Sequence, residues 1–259
     1  MSLVLASGKQ ELVLDPPWIN AAGFLPPQSP TGSLGEPLRM GAWVTPATSL
    51  APRSPAHGPR LLSFPGGLLL HTGHPNPGIS NMLRRDRPAW RALGRPVVVH
   101  LLAGDARELE RLVERLESIE EVGAIEVALG ETPDSDVAAW LRAASTAQLP
   151  IIAQFPIGTT TARVGLAAAA GAAAVSAGPP RGTLPGPNGA PMTGRLYGPS
   201  LLPLGLRTVE AWTEALDMPV LGSGGVTTAT AMEAMFRTGA AGVILDTILW
   251  TEPERVLAG

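Results

Sequence analysis

Eight short apolar segments recur along the chain, and they constrain its fold more than any other feature. Each is four to seven residues long and predominantly apolar, which is typical of parallel strands buried on both faces. The segments are 18–22, 42–45, 96–102, 124–129, 150–155, 172–177, 219–222 and 242–246. The segments between them that show helical periodicity are 105–121, 137–147, 161–170, 204–216 and 228–238.

This alternation predicts a parallel α/β protein, and eight strands favour a closed (β/α)8 TIM barrel. The length of 259 residues suits a barrel, whose typical size is about 250 residues. Residues 46–95 are rich in Pro and Gly with little helical periodicity, so they predict a long, functional excursion after the second strand. No linker interrupts the chain, and a single domain over residues 1–259 is expected. A doubly wound open sheet is the alternative fold.

The charged and reactive residues exclude several kinds of active site and binding partner. The absence of cysteine excludes disulfides, thiolate metal sites and a Cys nucleophile, and no metal site is predicted. The single lysine, Lys9, precedes the first strand, so a Schiff base at a strand end is not expected. The net charge of −3 gives no reason to expect nucleic acid or an anionic membrane as partner. Without a signal-like leader or a membrane-length apolar run, a cytoplasmic protein is expected.

Small residues mark the last two strand ends. Gly222-Ser223-Gly224-Gly225 follows the seventh strand, and Asp246-Thr247 ends the eighth. Backbone N–H groups can surround an anion only where no side chain intervenes, and a following helix adds positive potential. Phosphate sites of (β/α)8 barrels lie after these two strands. The pattern therefore predicts a phosphate site, although glycines that merely shape tight turns are the alternative.

Several motifs in one order resemble a known family. The motifs are Asn20-Ala21-Ala22-Gly23 and the segments 41–45, 59–78 and 193–207, and they are followed by the two strand-end turns described above. Together they resemble the FMN-dependent dihydroorotate dehydrogenases of class 1, whose motifs include N-A-[SA]-G and G-L-S-G-P. The resemblance covers nearly the whole chain and implies a TIM barrel that binds FMN.

The resemblance also assigns roles to individual positions. The flavin phosphate would be held after the seventh and eighth strands, and the isoalloxazine edge would lie against the end of the first strand. The implied cofactor-binding residues are Ala21, Ala22, Gly23, Thr45, His100, Gln154, Gly198, Gly224, Gly225 and Thr247. Gly73 and Asn76 lie where the substrate contacts of the family cluster.

The departures from the family concern its chemistry. Residues 128–133 follow the fourth strand, and this short loop lacks the Ser or Cys base of an S-C-P-N-like motif. Gln154 stands in place of the lysine near the flavin, and the asparagines that hold orotate read as Leu70 and Gly178. Asp246 replaces the glycine before Thr247, which brings a carboxylate close to the predicted phosphate. Dihydroorotate oxidation by the usual mechanism is therefore not expected.

Histidines are the candidates for a replacement base, because imidazole titrates near neutral pH. His71 and His74 lie in the excursion, and solvated loop histidines are the alternative interpretation. His100 is either a flavin contact or a satisfied core histidine. Glu126 points toward the barrel interior by its alternation, where a paired structural carboxylate is favoured. Arg181 and Arg195, after the sixth strand, offer cationic contacts to an acidic ligand.

Three functions stay open on the sequence. The first is an FMN-dependent oxidoreductase with an altered substrate, related to pyrimidine metabolism. The second is a catalytically lapsed paralogue that binds flavin or another phosphate ligand, or serves as a partner subunit. The third is an unrelated phosphate-ligand barrel enzyme. A small-molecule ligand is expected in each case, and a homodimer or an electron-transfer partner subunit is possible.

Overall fold

The structure, a computed structural model, describes residues 2–7, 10–26 and 39–254. Lys9, part of the segment after the first barrel strand and the ends of the predicted 1–259 domain lie outside the described residues. The strands are β1 (Leu3–Ser7), β2 (Gln10–Leu14), β3 (Trp18–Asn20), β4 (Trp43–Val44), β5 (Leu61–Phe64), β6 (Gly67–Leu70), β7 (Val97–Leu101), β8 (Val122–Ala128), β9 (Ile151–Pro156), β10 (Ala174–Gly178), β11 (Arg181–Pro185), β12 (Pro191–Tyr197), β13 (Val220–Gly222) and β14 (Gly242–Leu245). The α-helices are α1 (Ile79–Ala92), α2 (Ala106–Glu114), α3 (Val137–Ala144), α4 (Thr161–Ala169), α5 (Leu202–Ala215), α6 (Ala229–Arg237) and α7 (Ile248–Thr251).

Eight strands form one parallel sheet in the order β3-β14-β13-β10-β9-β8-β7-β4. All eight coincide with the apolar segments of the sequence, so the predicted (β/α)8 barrel is confirmed. Every residue of β7, β10, β13 and β14 is buried, as expected for parallel strands covered on both faces. The carboxyl ends of these strands define the mouth of the barrel.

The barrel is closed at a seam between β3 and β4. One parallel bridge joins Ile19 to Ala42, and the Gly41 amide donates to the Trp18 carbonyl at 2.9 Å. The Asn20 carboxamide continues the seam: it donates to the Val44 carbonyl at 2.7 Å and accepts from the Val44 amide at 2.8 Å. The buried Asn20 side chain therefore takes the place of one pair of backbone hydrogen bonds between β3 and β4.

The opposite end of the barrel is covered by the β1–β2 hairpin. Leucines on its inner face pack against the inward residues of the barrel strands, and these are Leu3, Leu5, Leu12 and Leu14. Val4 and Val13 pair across the hairpin on its outer face and are about half exposed. The hairpin therefore covers the barrel interior at this end.

The excursion after β4 forms part of a roof over the mouth. Its hairpin β5–β6 pairs with the β11–β12 hairpin, which follows the sixth barrel strand, in a sheet of order β11-β12-β6-β5. We call this four-stranded sheet the roof. The expectation of little helix in residues 46–95 was wrong, since α1 spans 14 residues. Its buried stripe contains Asp86, and Pro88 lies inside the helix, which weakened the apolar pattern in the sequence.

Smaller differences concern the helix ends. The helix predicted over 105–121 ends at Glu114, and tight turns follow in which the Leu116 amide donates to the Val113 carbonyl. The starts of α2, α4 and α6 are capped by Asp105, Thr160 and Thr228, whose side chains accept backbone amides. Within the three described ranges, no helix is long and apolar enough to cross a membrane.

Candidate functional site

A cavity of about 730 Å³ opens at the carboxyl ends of β7, β8, β9 and β10. We call it the mouth cavity. Its deep wall includes Gln154 and Gly178, and Arg181 and Arg195 reach it from the roof. Apolar surface comes from residues such as Leu102. The volume is that of a site for a small organic ligand.

A buried polar cluster lies in the barrel interior around Glu126. Its carboxylate lies 2.6 Å from Nδ1 of His100, and the Ser176 hydroxyl donates to it at 2.7 Å. Burial raises the pKa of Glu126, but hydrogen bonds from His100 and Ser176 outweigh that effect, so the pKa lies below its ordinary value. Because an ionised carboxylate only accepts, Nδ1 of His100 is the donor.

His100 is thus held by Glu126 in the core, where it is 3% exposed. Its backbone amide donates to the Thr45 hydroxyl at 3.1 Å, and that hydroxyl donates to the Pro46 carbonyl. The structure brings two predicted flavin contacts, Thr45 and His100, together in one hydrogen-bonded group. Both side chains are engaged by other protein atoms, and neither lines the mouth cavity.

His74 lies beneath the roof and is half-buried, with a left-handed backbone of φ 52°. Burial, with the positive charge of Arg195 next in importance, lowers the pKa of His74 to about 3. Its imidazole is therefore neutral at physiological pH and is a weak base, far from the pKa that favours proton transfer there. His71 follows β6, and its backbone amide donates to the Arg60 carbonyl at 2.8 Å.

The two predicted substrate contacts hold the excursion together in the structure. The Asn76 carboxamide accepts from the Gly78 amide at 2.9 Å and donates to the Ser49 hydroxyl at 3.0 Å. Gly73 has φ 73°, and a Cβ there would lie 2.8 Å from the Ala56 amide nitrogen. The hydrogen bonds of Asn76 and the positive φ and close packing of Gly73 therefore account for these two residues without a bound substrate.

The end of β3 is built from small residues. The Ala21 amide donates to the Leu245 carbonyl at 2.7 Å, which ties this end to the last barrel strand. Ala21 and Ala22 are half-buried, and Gly23 has φ 84°. Ala21 also borders a second, much smaller cavity near the turn at residues 222–225.

The turn predicted to bind phosphate is tightly packed. Gly224 and Gly225 are buried, with φ values of 98° and 72°. A Cβ on Gly225 would lie 2.5 Å from the Leu202 amide nitrogen, and one on Gly224 would lie 2.6 Å from the Ile157 side chain. Gly198 has φ 121°, and its Cβ would meet Gly67 at 2.5 Å. Backbone conformation and close packing thus require glycine at all three positions.

Among the described residues, the space beside this turn is small. The small cavity bordered by Gly224, Ser223 and Asp246 measures about 20 Å³, enough for about one water molecule. The Asp246 carboxylate is 5% exposed and accepts from the Thr247 amide and, at 2.9 Å, from the Thr247 hydroxyl. Burial raises the pKa of Asp246, so an ionised carboxylate is already disfavoured at this position, and a neighbouring anion would disfavour it further.

Aromatic side chains fill the adjoining space. Tyr197 stands where the family motif G-L-S-G-P has serine, and it is 8% exposed. Its ring centroid lies 4.9 Å from that of Phe24, which stacks on Trp250 at 4.3 Å. Burial raises the pKa of Tyr197, so its hydroxyl is neutral. Among the described residues, this end of the barrel does not fit a flavin phosphate.

One arginine, Arg163, anchors the loop after β8. The Arg163 guanidinium donates to the Leu129 carbonyl at 3.0 Å, to the Thr132 carbonyl and to the Asp134 carboxylate. Arg163 also lies over the Phe155 ring at 5.9 Å. This loop carries the catalytic base in the family named above, but here it is a short, anchored wall of the mouth cavity.

Sequence reasoning did not find Tyr197 and Arg163 as determinants of the site. Tyr197 left a signal, since it is a large residue at a serine position of the motif. Arg163 left none, because its partners lie about thirty residues away along the chain. Gln154 was found, and it lies between the buried cluster and the mouth cavity.

The chain is similar over most of its length to curated enzymes, although no family model matches it. The catalytic subunit of dihydroorotate dehydrogenase B (NAD(+)) from Geotalea uraniireducens is 30% identical over 240 residues, which cover 83% of this chain and 77% of that protein. Its counterpart from Trichlorobacter lovleyi is 31% identical over 239 residues, with the same two shares. Among solved structures, the FabK M276A variant from Thermotoga maritima has a TM-score of 0.47 at 19% identity, covering 66% of this chain and 50% of that chain.

Proposed function

We propose that this chain, which belongs to the dihydroorotate dehydrogenase family, uses the family's barrel to bind a small molecule in the mouth cavity without FMN. Membership confirms the resemblance drawn from the sequence motifs. The family is one of oxidoreductases, and the loss of its flavin-linked reaction in this chain is the proposal. The observation that carries it is the small space at this turn: among the described residues, the cavity there measures about 20 Å³ and is bordered by the buried Asp246 carboxylate.

Two further features support the same proposal. Gln154 supplies an amide but no full charge at the position of the family's lysine, so a reduced flavin would lack its stabilising cation. The β8 loop offers no Cys or Ser base, and Arg163 anchors it to α4. The chain's own residues would bind and orient a ligand: Gln154 from below, and arginines from the roof.

The opposing candidate is an FMN oxidoreductase with an altered substrate. It is favoured by the amides of Gly224 and Gly225, which donate no hydrogen bond to any residue of the described ranges. Free amides in a turn of positive φ form an anion-binding nest. Flavin binding would then require Asp246 and Tyr197 to move out of the space they occupy.

Absorbance and FMN titration separate the two candidates. The purified protein is expected to show no flavin bands, and added FMN is expected to keep its free fluorescence. The double variant Asp246→Gly, Tyr197→Ser removes both obstacles and serves as the matched comparison, expected to bind FMN more tightly than the natural chain. Stoichiometric FMN binding by the natural chain, with quenched fluorescence, would overturn the proposal.

A further inference from the structure

Two arginines face each other in the roof. Arg181 on β11 and Arg195 on β12 are direct cross-strand partners. Like charges at directly opposed positions of an antiparallel pair are destabilising. Arg181 is compensated by an ion pair with Glu131, in which both side chains are at least half exposed.

Arg195 forms no such ion pair, and the more distant charge of Glu131 only partly offsets the desolvation of its guanidinium. It is half-buried and lines the mouth cavity. Its guanidinium forms no hydrogen bond or ion pair with any residue in the part of the chain that the structure describes. Burial lowers the pKa of Arg195, and the nearby His74 is neutral. A half-buried cation that faces a cavity without an acceptor is an unusual and unfavourable arrangement.

The acidic groups of the cavity do not supply the missing acceptor. Asp105 caps α2 by accepting the Glu108 amide at 2.8 Å, and Asp136 is exposed and accepts from Ser135. Glu131 is shared with Arg181 at the outer rim. Beside Arg195, the deep wall presents the Gln154 amide and apolar surface.

We propose that Arg195 anchors the anionic group, carboxylate or phosphate, of a small organic ligand in the mouth cavity. This inference rests on the proposed function in taking that cavity as the ligand site. An anion supplies the acceptor that Arg195 lacks and offsets its repulsion with Arg181. The apolar surface around Gln154 receives the ligand body. The site is distinct from the turn at Gly224, since it lies after β7 to β10.

The two states of this site differ in stability. Without an anion, Arg195 destabilises the roof, so Arg195→Gln is expected to melt at the same temperature as the natural chain or higher. With an anion, the natural chain gains stability in proportion to ligand occupancy, and the variant does not. A merely structural arginine would give the reverse, namely a lower melting temperature for the variant at every ligand concentration.

The experiment is thermal denaturation with titrated anions at constant ionic strength, using chloride as the background. Benzoate and succinate test the carboxylate, and inorganic phosphate and glycerol phosphate test the phosphate. The natural chain is expected to be stabilised by one class. Arg195→Gln should weaken its binding about 10- to 100-fold, as for the loss of charged hydrogen bonds. Arg195→Lys is expected to retain part of the affinity, since it keeps the charge.

Arg237→Gln is the matched control, because Arg237 lies on α6 in an exposed pair with Glu233. It is expected to respond to anions as the natural chain does. The inference is overturned if no probe stabilises the natural chain, or if Arg195→Gln responds equally. FMN titration of the same samples reports separately on the proposed function, because stoichiometric FMN binding with quenched fluorescence would overturn that proposal whether or not Arg195→Gln changes the binding of the other anions.

Discussion

Replacing Asn20 by alanine should open the seam of the barrel. The Asn20 side chain is fully buried and makes both hydrogen bonds to the backbone of Val44, at 2.7 and 2.8 Å. Alanine leaves the Val44 amide and carbonyl unpaired, and each buried unpaired group costs about 1–3 kcal/mol. The expected loss is therefore about 4 kcal/mol, a large share of the roughly 5–15 kcal/mol that stabilises a typical domain.

Thermal and urea denaturation followed by circular dichroism measure this loss. For a chain of this size, each kcal/mol shifts the melting temperature by roughly 2–4 °C, so a drop of about 8–16 °C is expected. Asn81→Ala is the matched control. Asn81 is exposed and donates only to the Pro77 carbonyl while accepting from Arg84, so its loss should be within about 0.5 kcal/mol.

Asn20→Asp sharpens the test, because it keeps the shape but removes the donor. At neutral pH its carboxylate would face the Val44 carbonyl, and a buried position in that surrounding raises the pKa of a carboxyl group. Its stability should therefore rise as the pH falls, when the protonated acid can donate again. If Asn20→Ala is no less stable than Asn81→Ala, the Asn20 carboxamide does not close the seam.

Three other predictions concern the buried charges and the anchored loop. Glu126→Ala should cost about 3–5 kcal/mol by leaving His100 unpaired in the core, whereas Glu233→Ala in its exposed pair should cost under about 1 kcal/mol. Because the pKa of Glu126 is lowered in the folded state, its ionisation stabilises the fold fully above the ordinary Glu pKa, and this stabilisation is lost as the pH falls through the folded pKa. Unfolding midpoints measured at acidic pH should show this loss in the natural chain. The Glu126→Gln variant, which cannot titrate there, should not show it. The folded pKa of Asp246 is raised, so stability should fall as the pH rises above the ordinary Asp value, and Asp246→Asn should remove that slope in the same measurement. Arg163→Ala should release the 129–134 loop, seen as faster hydrogen exchange and proteolysis there than in Arg237→Ala.

Each of these has a contrary result. Equal losses for Glu126→Ala and Glu233→Ala would mean that the His100 interaction adds nothing to stability. A pH profile of Asp246→Asn that matches the natural chain would show that the buried carboxylate does not titrate as its surroundings require. Unchanged exchange in the 129–134 loop after Arg163→Ala would show that other contacts hold the loop.

The fold could be predicted because its information is local in the sequence. Eight apolar segments of strand length are a direct consequence of burial on both faces, and they gave the barrel and the ends of its strands to within a few residues. Helix α1 was missed because Asp86 and Pro88 interrupt the pattern that a helix usually shows. The part played by Asn20 in the seam was missed because its partner Val44 lies 24 residues away.

The candidate site was predicted less completely, because its properties depend on contacts between distant segments. The position of the glycine turns follows from the strand ends, but the space beside them depends on Tyr197 from another unit of the barrel. The low pKa of His74 depends first on its burial and then on the charge of Arg195, more than a hundred residues later. The sequence therefore located the mouth of the barrel, whereas the side chains that fill the space beside the glycine turns are seen only in the structure.

The roof shares no strand with the barrel, and this separation has a consequence for exchange with solvent. In the roof β6 pairs with β12, joining Leu70 to Arg195, roughly 125 residues later. A sheet of this kind can open as a cooperative unit while the barrel ladder stays intact. Amide protons of β12 should then exchange sooner than those of β9, although both strands border the same mouth cavity.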